Sequence, residues 1–429
     1  MKRLLIIAAA VSLAAGCNPS SPYHVDSPLT ISSPTPTEAI TKVDLSDTEQ
    51  GYVKAGNVMA FRFLQELYDG KNLIVSPLSL QYALAMAANG ASGQTLQEII
   101  DFLGYGKEGI DALNAYCKKM MEQLPAVDLD VALKLTDAIL VNDSFPLYSD
   151  FKSTVESNYY AAVENMDFSN PDNVAARIND WAYRNTNGFI DKLISADDIS
   201  HDAVAFLMNA LYFKARWEGG EYDPMFNPDA TVEENFTRSD KSTTSVSYMQ
   251  NSRYHLYAKM DGFKVLALPY AGGKFFMYIL LPDGNDLAGL VKKLPGIAWN
   301  DVLSSLSRDR EVVLKLPKFD IEEKYILIDN LKALGIRKAF DPNSAQFNRM
   351  FKASDFGYSF YISSVIQKAR ISVAEWGTEA AAVTVIAMDN CSAIDPGKPI
   401  EFFADHPFLF FIGEATSGTI LFEGAYTGQ

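Results

Sequence analysis

Few side chains in this sequence have the chemistry that catalysis requires. A cysteine nucleophile at Cys391 would need a histidine as its base. The sequence has four histidines, at His24, His201, His255 and His406. His406 precedes Pro407 and an apolar run, a context in which a structural histidine is the default interpretation. The sequence therefore indicates no enzyme, and a cysteine hydrolase is the catalytic alternative.

Cofactor motifs are equally scarce. Residues 104–109 (GYGKEG) match the spacing of a dinucleotide-binding glycine loop, but they follow a helical pattern where that motif needs a strand. We interpret them as an ordinary loop. The sequence has no Gly-x-Ser-x-Gly, no His-Glu-x-x-His and no phosphate-binding loop. We expect no cofactor and no metal.

Charge and cysteine content narrow the class of protein. The formal net charge is -16, which disfavours binding to nucleic acid or to anionic lipid. Only Cys117 and Cys391 follow Cys17, so the sequence predicts no disulfide framework. Cys117 lies in an amphipathic stretch and is predicted to be a half-buried structural thiol. Cys391 lies in a polar, turn-rich stretch and is predicted to be exposed.

The stretch 375–391 has an unusual composition for a strand. It contains a glycine at Gly377, small residues from Ala380 to Ala382, and then a β-branched run. Alternation puts Thr378, Ala380, Ala382 and Thr384 on one face, which could enter a sheet without clashes. The stretch is typical of an unpaired strand hinged at Gly377. An ordinary edge strand or a short helix is the alternative.

The amino-terminal region is typical of an exported protein. Residues 1–17 have a basic start, a short apolar run and small residues before Cys17, as in a bacterial lipoprotein signal with lipid on that cysteine. A plain secretory signal is the alternative. Residues 18–48 are rich in Ser, Thr and Pro, and are predicted to form a disordered tether. Residues 49–429 are predicted to be one domain.

The order of apolar periodicities predicts an α+β fold. Predicted helices cover 51–68, 77–89, 95–102, 109–124, 172–187 and 329–334. Predicted strands cover 131–141, 203–214, 244–249, 263–269, 275–281, 312–319, 369–374, 408–412 and 419–422. Ser76 and Pro77 are expected to start the second helix.

Five motifs in order resemble those of the serpin family, over residues 49–429. Residues 72–79 (NLIVSPLS) resemble its early Asn-x-x-x-Ser-Pro-x-Ser segment, and residues 209–217 (NALYFKARW) resemble its central strand. Residues 316–319 (LPKF) and 404–411 (ADHPFLFF) match two further signatures. Residues 377–382 (GTEAAA) are close to the hinge of inhibitory members.

The resemblance implies three β-sheets, eight or nine helices and an exposed reactive-centre loop that carries the stretch 375–391. A target protease would cleave this loop and form an acyl-enzyme. The freed hinge would then enter the main sheet as a new strand and distort the protease. The hinge residues would be Glu375, Gly377, Thr378, Glu379, Ala380, Ala381 and Ala382.

Further roles follow from the same resemblance. Lys318 is expected to pair with Glu375 near the top of the insertion site, with Trp217 packed beside them. Ser76, Ser79 and Asn209 would lie where the strands part. Gln367 stands where many members have histidine, and its amide can both donate and accept hydrogen bonds.

The family's spacing from Glu375 places the reactive bond at Cys391-Ser392, with Asp389 and Asn390 as further candidates. Cysteine there suits an elastase-like serine protease, and a papain-like cysteine protease is the second candidate target. Oxidation of the Cys391 thiol would block docking.

The sequence therefore predicts a monomeric protease inhibitor on a bacterial envelope membrane. A non-inhibitory serpin that acts as a binding module is the alternative.

Overall fold

The structure is a computed structural model of the chain, and it describes residues 21–23, 29, 34–105, 108–199, 203–219, 223–351, 360–378 and 398–429. These ranges contain nearly all of the predicted domain. All structural statements below concern these residues.

Nine α-helices lie within the described ranges. Ser46 begins the first with a capping box, in which its hydroxyl accepts from the Glu49 amide and the Glu49 carboxylate accepts from the Ser46 amide. Ser76 caps the second, with Pro77 in its first turn, as the sequence predicts. The helices are α1 (Asp47–Leu67), α2 (Pro77–Gly90), α3 (Gly93–Leu103), α4 (Ile110–Gln123), α5 (Ser149–Tyr159), α6 (Pro171–Asn185), α7 (Leu287–Lys293), α8 (Trp299–Ser305) and α9 (Ile328–Ala333).

The described strands number sixteen. They are β1 (Leu73–Val75), β2 (Ala132–Asn142), β3 (Ala162–Met166), β4 (Ala205–Arg216), β5 (Val232–Thr237), β6 (Thr243–Tyr254), β7 (Leu256–Met260), β8 (Phe263–Pro269), β9 (Phe275–Pro282), β10 (Glu311–Pro317), β11 (Phe319–Ile326), β12 (Ile366–Ala374), β13 (Gly377–Thr378), β14 (Ile400–Phe403), β15 (Phe408–Glu414) and β16 (Ile420–Tyr426).

These strands form three sheets. The main sheet has the order β11-β12-β13-β4-β2-β3, the buried sheet β1-β16-β15-β9-β8-β7, and the small sheet β14-β10-β6-β5. The expected α+β class, with three sheets and eight or nine helices, is confirmed.

Burial explains the different sequence patterns of the sheets. Strands β9, β15 and β16 are buried at every position, so they are nearly continuous apolar runs. Strand β12 alternates between buried and partly exposed residues, because only one of its faces meets the core.

The predicted strand 312–319 is wrong as a single element. Strand β10 ends at Pro317 and pairs in the small sheet, whereas β11 begins at Phe319 and pairs in the main sheet. Lys318 lies between them, and its amide donates to the Ser247 carbonyl at 2.8 Å. The chain passes from one sheet to the other at this residue, which places the Lys318 side chain at their junction.

The sequence patterns also missed several elements, namely α5, α7, α8, β1, β3, β5, β7, β11 and β14. Polar and acidic residues interrupt the apolar periodicity of β5 and β11, whose outward faces are exposed. Propensity alone is therefore too weak to identify them.

Part of the predicted tether lies against the domain. The Ile40 amide donates to the Ala126 carbonyl at 2.9 Å, and Val43 is buried. Lys274 donates to the Thr41 carbonyl at 3.0 Å. Most of 18–33 lies outside the described residues. Within the described ranges, no helix combines the length and the apolar character needed to cross a bilayer.

Candidate functional site

The predicted hinge begins inside the main sheet, so the prediction of an unpaired strand is wrong for Gly377 and Thr378. Gly377 and Thr378 form the two-residue strand β13, which pairs antiparallel with the ends of both β12 and β4. Gly377 has φ +143°, and a Cβ there would collide with the Ala215 carbonyl. Only glycine fits this position, because the backbone has a conformation that other residues rarely adopt and approaches β4 too closely for a side chain.

Thr378 is buried, and its hydroxyl meets a tyrosine. The Thr378 Oγ1 and Tyr270 Oη atoms are 2.5 Å apart, and either group could be the donor. Tyr270 is fully buried, and this burial raises the pKa of its hydroxyl, which therefore stays protonated. Tyr270 stacks on Trp217 with 4.6 Å between ring centroids and 7° between planes.

Trp217 joins the turn before β13 to β4. Its indole Nε1 donates to the Ala374 carbonyl at 2.8 Å, and its backbone amide donates to the Trp376 carbonyl at 3.2 Å. The turn between β12 and β13 is therefore held against the end of β4. Trp217 thus binds the residues on both sides of Glu375, near the position that the serpin resemblance implies.

Lys318 and Glu375 form the expected ion pair, with 2.9 Å between Nζ and Oε2. The second oxygen of Glu375 accepts from the Thr231 hydroxyl at 2.7 Å. Burial alone would raise the pKa of Glu375, but the hydrogen bonds from Lys318 and Thr231 lower it below its ordinary value. Glu375 is only 7% exposed, so this pair is more than a solvated surface contact.

Below β13, strands β4 and β12 are not hydrogen-bonded to each other within the described part of the chain. Strands β4 and β12 pair with β13 and with their outer neighbours, and the described residues form no ladder between the two. Asn209 on β4 and Gln367 on β12 line the cleft that separates them. We call this the insertion cleft. Its upper end is occupied by Thr378.

The start of α2 bridges the insertion cleft from beneath. Gln367 Nε2 donates to the Ser76 carbonyl at 2.9 Å, and Gln367 Oε1 accepts from the Ser76 amide at 3.2 Å. The Ser79 amide donates to Ser76 Oγ at 3.1 Å, and the Ser79 hydroxyl donates to Asn209 Oδ1. The structure therefore brings together Ser76, Ser79 and Asn209, the three residues expected where the strands part, and adds Gln367 to them.

Sequence reasoning missed Tyr270, Thr231 and Asp137 in this region. Asp137 on β2 is fully buried opposite Asn209, and its Oδ1 accepts from Asn209 Nδ2 at 2.8 Å. The signal for Asp137 was a lone acid within an apolar strand. Tyr270 and Thr231 carry no comparable local signal.

Several predicted site residues lie outside the described ranges. They are Glu379, Ala380, Ala381, Ala382, Asp389, Asn390, Cys391, Ser392 and Cys17. His406 is described, and its ring contacts the Asp405 carboxylate at 2.7 Å and the Pro282 carbonyl at 3.0 Å. These contacts give it a structural role. Cys117 is a free thiol that is only 2% exposed, so the prediction that it would be half-buried is wrong. The described residues contain no cluster of three potential metal ligands.

Comparisons with known proteins agree with this geometry. The family described as Serpin (serine protease inhibitor) matches residues 54–428. Serpin-Z3 of Arabidopsis thaliana is 33% identical over 372 residues, which cover 84% of this chain and 92% of the plant protein. The chain therefore belongs to the serpin family.

Two solved states of one serpin provide a structural comparison. The native state of tengpin, a thermophilic serpin, matches with a TM-score of 0.79 at 29% identity, covering 91% of this chain and 97% of tengpin. The latent state of tengpin matches with a TM-score of 0.74 at 26% identity, covering 90% of this chain and 99% of tengpin. The described fold is thus more similar to the native state than to the latent one.

Proposed function

We propose that this serpin inhibits an elastase-like serine endopeptidase as a suicide substrate. Family membership supports protease inhibition as the general activity. The observation that carries the proposal is the position of Thr378, which pairs with both β12 and β4 at the top of the insertion cleft. A strand that continued from Thr378 would run down this cleft.

The register of β13 gives the expected neighbours of each inserted residue. If the antiparallel pairing continues, Ala380 lies opposite Phe213 and Ile371, and Ala382 lies opposite Leu211 and Ala369. All four of these neighbours are buried. Large side chains in the hinge would be overpacked there, which typically costs about 1–3 kcal/mol. The run of alanines meets this steric requirement.

The proposed reaction begins as ordinary proteolysis. The protease serine oxygen attacks the carbonyl carbon of Cys391, and the bond from that carbon to the Ser392 nitrogen breaks. The Ser392 amine leaves with a proton from the protease histidine, and the Cys391 acyl group remains esterified to the protease. Insertion of residues 379–390 then carries the ester-linked protease away before water can hydrolyse the ester.

The native state would store the energy that drives this movement. Below Thr378 the described residues form no ladder between β4 and β12, and ladder hydrogen bonds would form there when the loop enters. The native fold would thus persist because of a kinetic barrier. Lipid on Cys17 would hold this inhibitor, as a monomer, at a bacterial envelope membrane.

Incubation with pancreatic elastase tests the proposal. We expect a covalent complex that survives SDS, together with a released carboxy-terminal peptide. The mass of this peptide should correspond to a chain that begins at Ser392. Cleavage without a complex would favour the non-inhibitory alternative. A complex with papain but not with elastase would move the target to the cysteine proteases. A peptide that begins elsewhere between Asp389 and Ser392 would relocate the reactive bond.

A further inference from the structure

Asp137 is a buried acid whose carboxylate is only partly hydrogen-bonded. Its Oδ1 accepts from Asn209 Nδ2, whereas its Oδ2 has no hydrogen-bond partner among the described residues. Leu135 and Ile139 flank it on the same face of β2 and belong to the large apolar core. A charged carboxylate in this position loses hydration that one amide does not replace.

Asp137 is connected to both walls of the insertion cleft. Asn209, its partner, lies on β4 and also accepts from the Ser79 hydroxyl. Ser79 binds Ser76, and Ser76 exchanges two hydrogen bonds with Gln367 on β12. These hydrogen bonds join β4 to β12 through α2, and they must rearrange when the two strands part. A change in the charge of Asp137 therefore acts on the contacts that hold the cleft closed.

Among the described residues, the neighbours of Asp137 provide no compensating cation. Tyr82 on α2, Cys117 on α4 and Tyr159 on α5 face it, and burial raises the pKa of each, so all three stay uncharged near neutral pH. From β4 it faces the neutral amide of Asn209. Burial raises the pKa of Asp137 to about 7, although the hydrogen bond from Asn209 opposes the shift.

We propose that Asp137 is a positioning residue for loop insertion, which makes separation of β4 and β12 faster as the pH rises through neutrality. The inference rests on the proposed function, because it concerns the same cleft. Opening the cleft admits water to Asp137 and returns its pKa toward about 3.9. The stabilisation of the closed sheet is therefore complete below about pH 3.9, where Asp137 is neutral in both states, and it is lost progressively until the pH has risen through about 7.

A synthetic peptide of residues 378–389 (TEAAAVTVIAMD) is the probe for sheet opening. The rate at which the protein takes up this peptide can be followed by native gel mobility and by the gain in thermal stability. We expect the wild-type rate to rise about tenfold from pH 6 to pH 8 if opening fully restores the ordinary pKa. We expect Asp137→Asn to insert the peptide at a rate that does not change with pH.

Glu423→Gln is the matched control, since it removes another fully buried carboxyl group, one that has no part in the hydrogen bonds from Asp137 to Gln367; it should keep the wild-type pH profile. A flat wild-type profile would overturn the role of Asp137 and leave the proposed function standing. A pH dependence that persists in Asp137→Asn would also overturn it, since another group such as His406 would then be responsible. No peptide uptake at any pH would count against the proposed function itself, and the role of Asp137 would fall with it.

Infrared spectroscopy of the wild-type protein tests the inference even if Asp137→Asn does not fold. A carboxylic acid band should titrate between pH 6 and pH 8 in the native protein and should persist in Glu423→Gln, which lacks the other carboxyl group whose pKa is raised by burial alone. The absence of such a band, or its loss in Glu423→Gln, would contradict the inference.

Discussion

The hydroxyl oxygens of Tyr270 and Thr378 lie 2.5 Å apart inside the main sheet, although the two residues are 108 positions apart in the chain. Neither group is exposed to water. The contact therefore fixes the first residue of the proposed inserting strand between β12 and β4. Because Tyr270 stacks on Trp217, the hydroxyl is held by a packed pair of rings.

We expect Tyr270→Phe to weaken the hold on Thr378 by about 0.5–1.5 kcal/mol, the usual net contribution of one hydrogen bond. The hinge would then leave the sheet more often, and insertion after cleavage would be slower. More inhibitor should be cleaved per complex formed. The measurement is the stoichiometry of inhibition with elastase.

Tyr248→Phe is the matched control for this substitution. Tyr248 is as buried as Tyr270, but its hydroxyl contacts the Asn235 carbonyl in the small sheet at 3.4 Å. Its stoichiometry should equal that of the wild type. If the stoichiometry of inhibition for Tyr270→Phe also equals that of the wild type, the Tyr270–Thr378 contact has no effect on insertion.

Ala380→Pro should convert the inhibitor into a substrate. Proline has no amide hydrogen, so it removes a ladder hydrogen bond from the inserting strand. We expect elastase to cleave this variant without forming an SDS-resistant complex. Ile394→Pro is the control, since residue 394 follows the reactive bond and does not insert. An undiminished yield of complex from Ala380→Pro would argue against insertion.

The Lys318–Glu375 pair should make native stability depend on acid pH. A carboxyl group whose pKa is lowered in the native state stabilises that state above its ordinary pKa, and the contribution is lost as the pH falls through the lowered value. We expect Glu375→Gln to reduce the melting temperature at pH 7, and the difference from wild type to shrink below about pH 4.5.

Asp283→Asn tests whether burial is responsible for this effect. Asp283 pairs with Lys259, but both side chains are at least 40% exposed. Exposed pairs contribute about 0–1 kcal/mol, so this variant should melt close to wild type. If Glu375→Gln and Asp283→Asn lower the melting temperature at pH 7 by similar amounts, burial gives the Lys318–Glu375 pair no special role.

The sequence predicted the fold class, the hinge glycine and the start of α2 because these depend on local patterns. Gly377 sits where only glycine fits, and Ser76 with Pro77 begins a helix in the usual way. The placement of Lys318 near Glu375 came from family resemblance, since the two are 57 positions apart and no local pattern connects them.

The residues that sequence reasoning missed are defined by tertiary contacts. Tyr270 follows β8, and only the fold brings it to Thr378. Asp137 and Glu423 each lie where both faces of their strand are buried, so alternation does not distinguish an acid in the core from one facing solvent. The energetic cost of burying these two carboxyl groups is apparent only from the structure, in which Asp137 Oδ2 and both carboxyl oxygens of Glu423 have no hydrogen-bond partner among the described residues.

The buried sheet contains two fully buried glutamates that differ in their partners. Glu414 accepts hydrogen bonds from the amides and hydroxyls of Thr416 and Ser417, at 2.6–2.8 Å. Glu423 lies between Val75 and Phe411 in the ladder, and neither of its carboxyl oxygens has a partner in the described structure. Burial therefore raises the pKa of Glu423 well above its ordinary value.

We expect Glu423→Met to stabilise the protein by roughly 1–3 kcal/mol, since it removes an unpaired polar group and keeps a similar volume. The gain should increase as the pH rises above about 4.5, because the unfolded state then ionises while the buried carboxyl group stays protonated. Glu414→Met should destabilise the protein, because it removes the acceptor of four hydrogen bonds. Urea unfolding midpoints at pH 5 and pH 8 compare the two variants. A lower midpoint for Glu423→Met at both pH values would mean that Glu423 contributes an interaction that compensates for its burial.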